Sequence, residues 1–366
     1  MKLLKPAAAA LIMVALLTFP ETALNAAREA MYAWYKSVAP ALLPFMALAP
    51  LLSCPESVRA YERLLGRWMR PLLNLPGAAA PAIVVGMTAG APAGALAAVR
   101  VCASAGMSRA EMERIVCCAC GMGPAFLVTG IGASMLGSAA DGRLLLRAQI
   151  ASQLTLLIAT RRVAPDVSLP PVEPSQGEQP VRAAVLGVLT VCGYMTLFSV
   201  AAALIARVVH SEIAGVAALC VLELPSGARA LAALPLPREL RLMGIAALSG
   251  TGGLCIAAQN LSACGKNGLR AKKYFASRLA HAGLMTVYTA LQLRWNTQTS
   301  RNLIQPLEIS ALVAAILAVP GLIFLKENPF LNKRNPTKNP EFPLEKAVKP
   351  QDIVEKSEKI PQYLVK

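Results

Sequence analysis

A carboxylate, Glu223, interrupts the apolar stretch 213–234 just before Pro225-Ser226-Gly227-Ala228. An ionisable group at membrane depth is costly and by default marks function. Two chemistries suit it: a proton carried for coupling, or a bound cation. A proton-coupled role is the sharper expectation, because an ionised Glu223 repels a dianion. The alternative is structural, with Glu223 as the partner of Arg229 or of a backbone amide.

The setting of Glu223 has a counterpart earlier in the chain. Pro92-Ala93-Gly94-Ala95 breaks one apolar stretch, and Gly121-Met122-Gly123-Pro124 breaks the next. In the second half, Ser249-Gly250-Thr251-Gly252-Gly253 follows the Pro225 break at a matching distance. Helix breakers at corresponding positions of two apolar halves point to a transporter's binding site. Hydrocarbon cannot solvate a freed N–H or C=O, so protein or a water-lined cavity must do so. Broken helices also aim partly positive N-termini at an anion. The candidate substrate-binding residues are therefore Thr88, Gly90, Pro92, Gly94, Gly121, Gly123, Pro124, Glu223, Pro225, Ser226, Gly227, Ser249, Gly250, Thr251, Gly252, Gln259 and Asn260. Arg100 and Arg229 follow the two prolines and either add charge to the site or snorkel to the interface.

These residues need an all-α membrane scaffold. The chain has 366 residues, 55% hydrophobic and 15% charged, with mean hydropathy +0.52. Apolar cores near 7–19, 38–53, 78–99, 115–138, 144–160, 183–209, 213–234, 242–264, 279–293 and 303–325 predict about eight (seven to ten) transmembrane or re-entrant helices. They form two pseudo-repeats, 1–162 and 183–325, joined by a polar Pro-rich linker at 163–182 and followed by a disordered basic tail at 326–366. Whether the second repeat is inverted is left open. Residues 1–20 suit a signal peptide or a first span, and a retained span is the expectation. Two interfacial helices are expected. One covers 21–37 and carries Tyr32, Trp34 and Tyr35. The other sets Val58, Tyr61, Leu65, Trp68, Leu72 and Leu75 against Arg59, Arg63, Arg67 and Arg70. Glycines 86, 90 and 94 are expected on one helix face. Ser108 and Glu111 predict a capping box.

The net charge of +16 sits between apolar segments, which favours cytoplasmic-loop bias over nucleic acid binding. Its densest patch, Lys266, Arg270, Lys272, Lys273 and Arg278, is expected in a cytoplasmic loop near anionic headgroups. Nine cysteines, including Cys117 and Cys120, read as small apolar packing groups. No metal, cofactor or catalytic residue is expected, and no HExxH, P-loop or Ser-His-Asp pattern is present. The expected partners are a small-molecule substrate and the lipid bilayer, and a homo-oligomer is compatible with both.

The chain resembles the YlbJ-type sporulation integral membrane proteins, which carry the nucleoside-recognition gate domain and include stage V sporulation protein V. The resemblance covers roughly residues 5–325. It rests on Pro40-x-x-x-Pro44-Phe45, Met69-Arg70-Pro71-Leu72 with Pro76-Gly77, Gly90-x-Pro92-x-Gly94-Ala95, Gly123-Pro124-Ala125-Phe126, Leu222-Glu223 with Gly227, Gly252-Gly253-Leu254, and Ala258-Gln259. It implies transport of dipicolinic acid, a small aromatic dicarboxylate, across the outer forespore membrane of a sporulating bacterium. A nucleoside or neutral-solute carrier and a non-transporting scaffold for spore-envelope assembly are the alternatives. The chain departs from the family pattern at Ala89, Ala91, Leu96, Ala119, Cys120, Pro225 and Ala257. It keeps the backbone breakers and loses several polar groups.

Overall fold

The computed structural model describes residues 4–52, 54–162, 180–209, 211–265 and 268–298, and every regular element among them is helical. Most of the linker (163–179), the last expected span (303–325), the tail (326–366) and Lys266 lie outside the described residues.

The first half runs through α1 (Leu4–Thr18), α2 (Pro20–Ala33), a π-helical turn (Trp34–Val38), α3 (Ala39–Leu52) and α4 (Pro55–Leu73). A 3-10 turn (Gly77–Ala79) then leads into α5 (Ala80–Thr88), α6 (Ala93–Ser104) and α7 (Arg109–Ala119). A π-helical segment (Phe126–Met135) and α8 (Ala139–Ala159) close the half. After the linker come α9 (Pro180–Val208), α10 (Glu212–Leu222), α11 (Leu224–Ala233), α12 (Arg238–Thr251), α13 (Gly253–Cys264) and α14 (Ala271–Gln298). The α9 helix starts at Pro180, inside the expected linker, because proline is well tolerated in a first helical turn.

Both Pro-x-Gly-Ala sequences form the tips of helical hairpins. The nine residues of α5 and twelve of α6 reach about 14 and 18 Å, short of a 30 Å hydrocarbon core. They fold back on each other where a Cβ on Gly94 would come within 2.5 Å of the Gly86 Cα. Gly86 and Gly94 therefore face each other across a reversal, with Gly90 at the tip, and do not share one helix face. The α10–α11 pair repeats the design, and a Cβ on Gly227 would come within 2.7 Å of the Cys220 Cα.

The two hairpins enter from opposite ends of the bundle. At the mouth of the first, Arg114 of α7 donates to the carbonyls of Leu73 and Leu157 and to Thr160 Oγ1. Arg270, just before α14, pairs with Glu113 there. The expected capping box closes at the same end, with Ser108 and Glu111 bonded in both directions. At the mouth of the second hairpin, Arg238 pairs with Asp141 at the start of α8, and Arg241 donates to the Ala232 carbonyl at 3.2 Å. The 21 residues of α8, about 32 Å long, separate these ends by one hydrocarbon thickness. The two hairpins thus point in opposite directions along α8.

Among the described residues, Pro180–Val208 and Arg238–Cys264 are long and apolar enough to cross a membrane, or three stretches do so if the bent pair Glu56–Leu73 with Gly77–Thr88 is counted. The remaining apolar stretches of the expected transmembrane or re-entrant set include shorter pieces such as Ala93–Ser104, Phe126–Met135 and Ile213–Leu222.

Two local expectations change. Residues 21–37 do not form a separate interfacial helix. The chain stays helical from Pro20 through the π turn to Leu52, with Trp34 Nε1 donating to the Val188 carbonyl of α9 at 3.0 Å. Nor does the basic loop extend to Arg278, which is buried in α14. In the same patch, Arg270 and Lys273 gather around the buried carboxylate of Glu113.

The basic amphipathic stretch folds as α4, but its expected apolar stripe is divided: Val58 and Leu75 are buried, Tyr61 and Leu65 pack on the core, and Trp68 and Leu72, with Leu64 beside them, stay exposed. Glu62 ties α4 to the next element, accepting from Arg70 at 2.7 Å and from the Ala78 amide at 2.8 Å. The Arg70 guanidinium, then the Ala78 amide, hold its carboxyl below the usual carboxylate range.

Candidate functional site

Each hairpin tip packs on the broken helix of its own half. Gly90 adopts φ +75°, and a Cβ there would lie 2.6 Å from the Gly121 carbonyl oxygen. The Ala91 amide donates to that oxygen at 3.1 Å. Opposite, Gly252 and Gly253 adopt φ +77° and +70°, and Gly253 lies against the carbonyls of Cys220, Val221 and Leu222.

The tips and breaks converge on a cavity of about 60 Å³. The first half contributes Ala91, Gly121, Met122 and Gly123, and the second contributes Glu223, Leu224, Pro225 and Gln259. Apolar side chains, including Val38, Phe126 and Met195, close the remaining wall.

Glu223 is only 1% exposed. It is the N-cap of α11, and its Oε2 accepts from the Ser226 amide at 2.6 Å. Its Oε1 is buried with no hydrogen-bond partner among the described residues. Two consequences follow. The N-terminus of α11, expected to face an anionic ligand, already holds a carboxylate of the chain itself. One oxygen of that carboxylate also remains available to a proton, a cation or a donor group. Arg229 is not the ion-pair partner seen for Glu223; it pairs with Glu29 at 3.0 Å.

The first break is satisfied from behind. Gln149 of α8 accepts from the Met122 amide at 3.0 Å and donates to the Met122 carbonyl at 2.7 Å. Gln153 donates to the Ala119 carbonyl at 2.6 Å. Arg278 of α14 donates to the carbonyls of Cys117 and Cys120. Its charge sits where the C-terminal end of α7 is partly negative. Sequence reasoning missed all three, because their partners lie 27 or more positions away in the chain.

Of the expected binding residues, Gly121, Gly123, Glu223, Pro225 and Gln259 line the cavity. Gly90, Pro92 and Pro124 shape the first break without lining it. Thr88 and Thr251 turn their hydroxyls back onto the Val84 and Leu248 carbonyls. Gly94 and Gly227 serve hairpin packing, and Gly250 lets α12 approach Ala282 of α14, where a Cβ would come within 2.4 Å. Gly252 supplies the left-handed cap of α12. Ser226 Oγ lies 3.4 Å from Ser199 Oγ. Ser249 is buried, and Asn260 donates to the Tyr274 hydroxyl at 2.9 Å. Arg100 does not line this cavity.

A second chamber, of about 300 Å³, adjoins the first and shares Val38, Phe126 and Pro225 with it. Lys36 and Arg229 are among its lining residues.

The chain is similar to the sporulation integral membrane protein YlbJ of Bacillus subtilis (strain 168), with 30% identity over 145 residues. The match covers 40% of this chain and 36% of that relative. No family model matches the chain, and no solved structure matches it. The likeness and the apolar helices together point to a membrane protein.

Proposed function

We propose that this protein is a transporter of a small organic anion, dipicolinic acid in particular, acting in the outer forespore membrane and moving its substrate toward the forespore. The observation that carries this reading is the meeting of both hairpin tips and both broken helices at one cavity that holds Glu223 with an unpaired buried oxygen. Oppositely directed hairpins meeting at one site suit alternating access. Glu223 is the coupling group. Protonation removes its charge and lets a dianion approach the N-terminus of α11, and loss of the proton favours release.

A second reading has its own support. Among the described residues no basic side chain lines the inner cavity, which suits a nucleoside or other neutral solute. Binding of labelled nucleosides to the purified protein, without dicarboxylate binding, would favour it. A non-transporting scaffold for spore-envelope assembly is the third reading, and it predicts that cavity variants leave sporulation unchanged.

Deletion in a sporulating host tests the main proposal. Spores should be poor in dipicolinate while the mother cell still makes it; normal spore dipicolinate would sink the transport reading.

A further inference from the structure

The inner cavity, at about 60 Å³, has room on the order of two water molecules, so a ring with two carboxylates does not fit it in this conformation. The adjoining chamber, at about 300 Å³, reaches the size at which small-molecule pockets begin. It lies toward the mouth of the second hairpin, between the end of α2, the π-helical segment Phe126–Met135 and α11. Its chemistry differs from that of the inner cavity. Lys36 and Arg229 supply two cations, Ser37 and Ser134 supply hydroxyls, and Tyr32 and Phe126 supply ring faces.

Arg229 is engaged by Glu29, a residue outside the chamber lining, in a pair whose side chains are 50% and 72% exposed. Such exposed pairs contribute little, so a ligand carboxylate can replace Glu29 at small cost. The Lys36 ammonium lies 5.6 Å from the centroid of the Tyr32 ring, which leaves its donors available to an anion.

We propose that this chamber is a capture site for a small aromatic dicarboxylate, with one carboxylate on Arg229 in exchange for Glu29 and the other on Lys36. Val38, Phe126 and Pro225 form the partition between this site and the Glu223 cavity. The assignment rests on the anion-transport reading and adds to it a second, outer site.

The test is equilibrium binding of radiolabelled dipicolinate to the purified full chain in lipid nanodiscs. Lys36→Gln and Arg229→Gln should each weaken binding about tenfold, as loss of a charge-assisted hydrogen bond does. Glu29→Gln should tighten it roughly threefold by releasing Arg229. Raised salt should weaken wild-type binding. Unchanged affinity in both the Lys36 and Arg229 variants, with wild-type binding intact, overturns the chamber and leaves the transport reading standing. Weaker binding in Glu29→Gln overturns the exchange. A wild-type protein that binds nucleosides but no dicarboxylate overturns the ligand class for both sites. Thermal unfolding profiles matching wild type show that the three variants are folded.

Discussion

The broken helix of the first half and the hairpin tip of the second solve one problem in different ways. Around the α7 break, Gln149, Gln153 and Arg278 occupy the released amide and carbonyls. Around the α10–α11 break, the chain satisfies one backbone amide with Glu223 and leaves the other carboxylate oxygen without a partner among the described residues. The first break is a wall held by side chains from neighbouring helices; the second keeps a reactive group in reserve. A break in a membrane helix therefore does not by itself identify a binding group. What distinguishes the two is whether any polar atom is left over.

Substitutions can break this contrast. The largest loss of stability should come from Arg278→Met, which strands two buried carbonyls and costs roughly 3 kcal/mol or more. Thermal unfolding of the purified protein should show it, and a near-neutral result would mean that the first break is not held from α14. Gly90→Ala comes next, at about 3 kcal/mol, because the new Cβ meets the Gly121 carbonyl in a left-handed conformation. Gly283→Ala is its control, since a Cβ there meets nothing within 4 Å. Gln149→Leu should cost about 2 kcal/mol through the loss of both bonds to Met122. Glu223→Gln should change stability least, by less than about 1 kcal/mol, since the amide oxygen still accepts from Ser226. Its effect should appear in reconstituted uptake, as a loss of tenfold or more in rate. If Glu223→Gln unfolds the protein and transports normally when folded, the two breaks are chemically alike and the contrast fails.

The sequence made the break positions legible because proline and glycine act locally. Pro92, Gly90, Pro225 and Gly252 mark their own turns, and the capping box at Ser108 and Glu111 closes within one helical turn. What satisfies a break is not local. Nothing near Arg278 in the chain says that it serves Cys117 and Cys120, and its basic neighbours make it look like part of a loop. The continuity of α2 with α3 was hidden for a similar reason. The aromatic residues at 32–35 resemble an interfacial belt, yet Trp34 is claimed by the Val188 carbonyl on a distant helix. Of the candidate site, Gly121, Gly123, Glu223, Pro225 and Gln259 reach the cavity, whereas Gly90, Pro92 and Gly252, equally marked in sequence, shape turns instead.

The elbow at Glu62 has a further consequence. The helix α4 and the stretch Gly77–Thr88 meet at 96°, so with α4 lying along the headgroups the next arm points straight down. Three residues of 3-10 helix and nine of α-helix make that arm about 19 Å long. Half of a hydrocarbon core is about 15 Å. With α4 held at the surface, the elbow would work as a plumb line, setting the depth of Gly90 and so of the first hairpin tip.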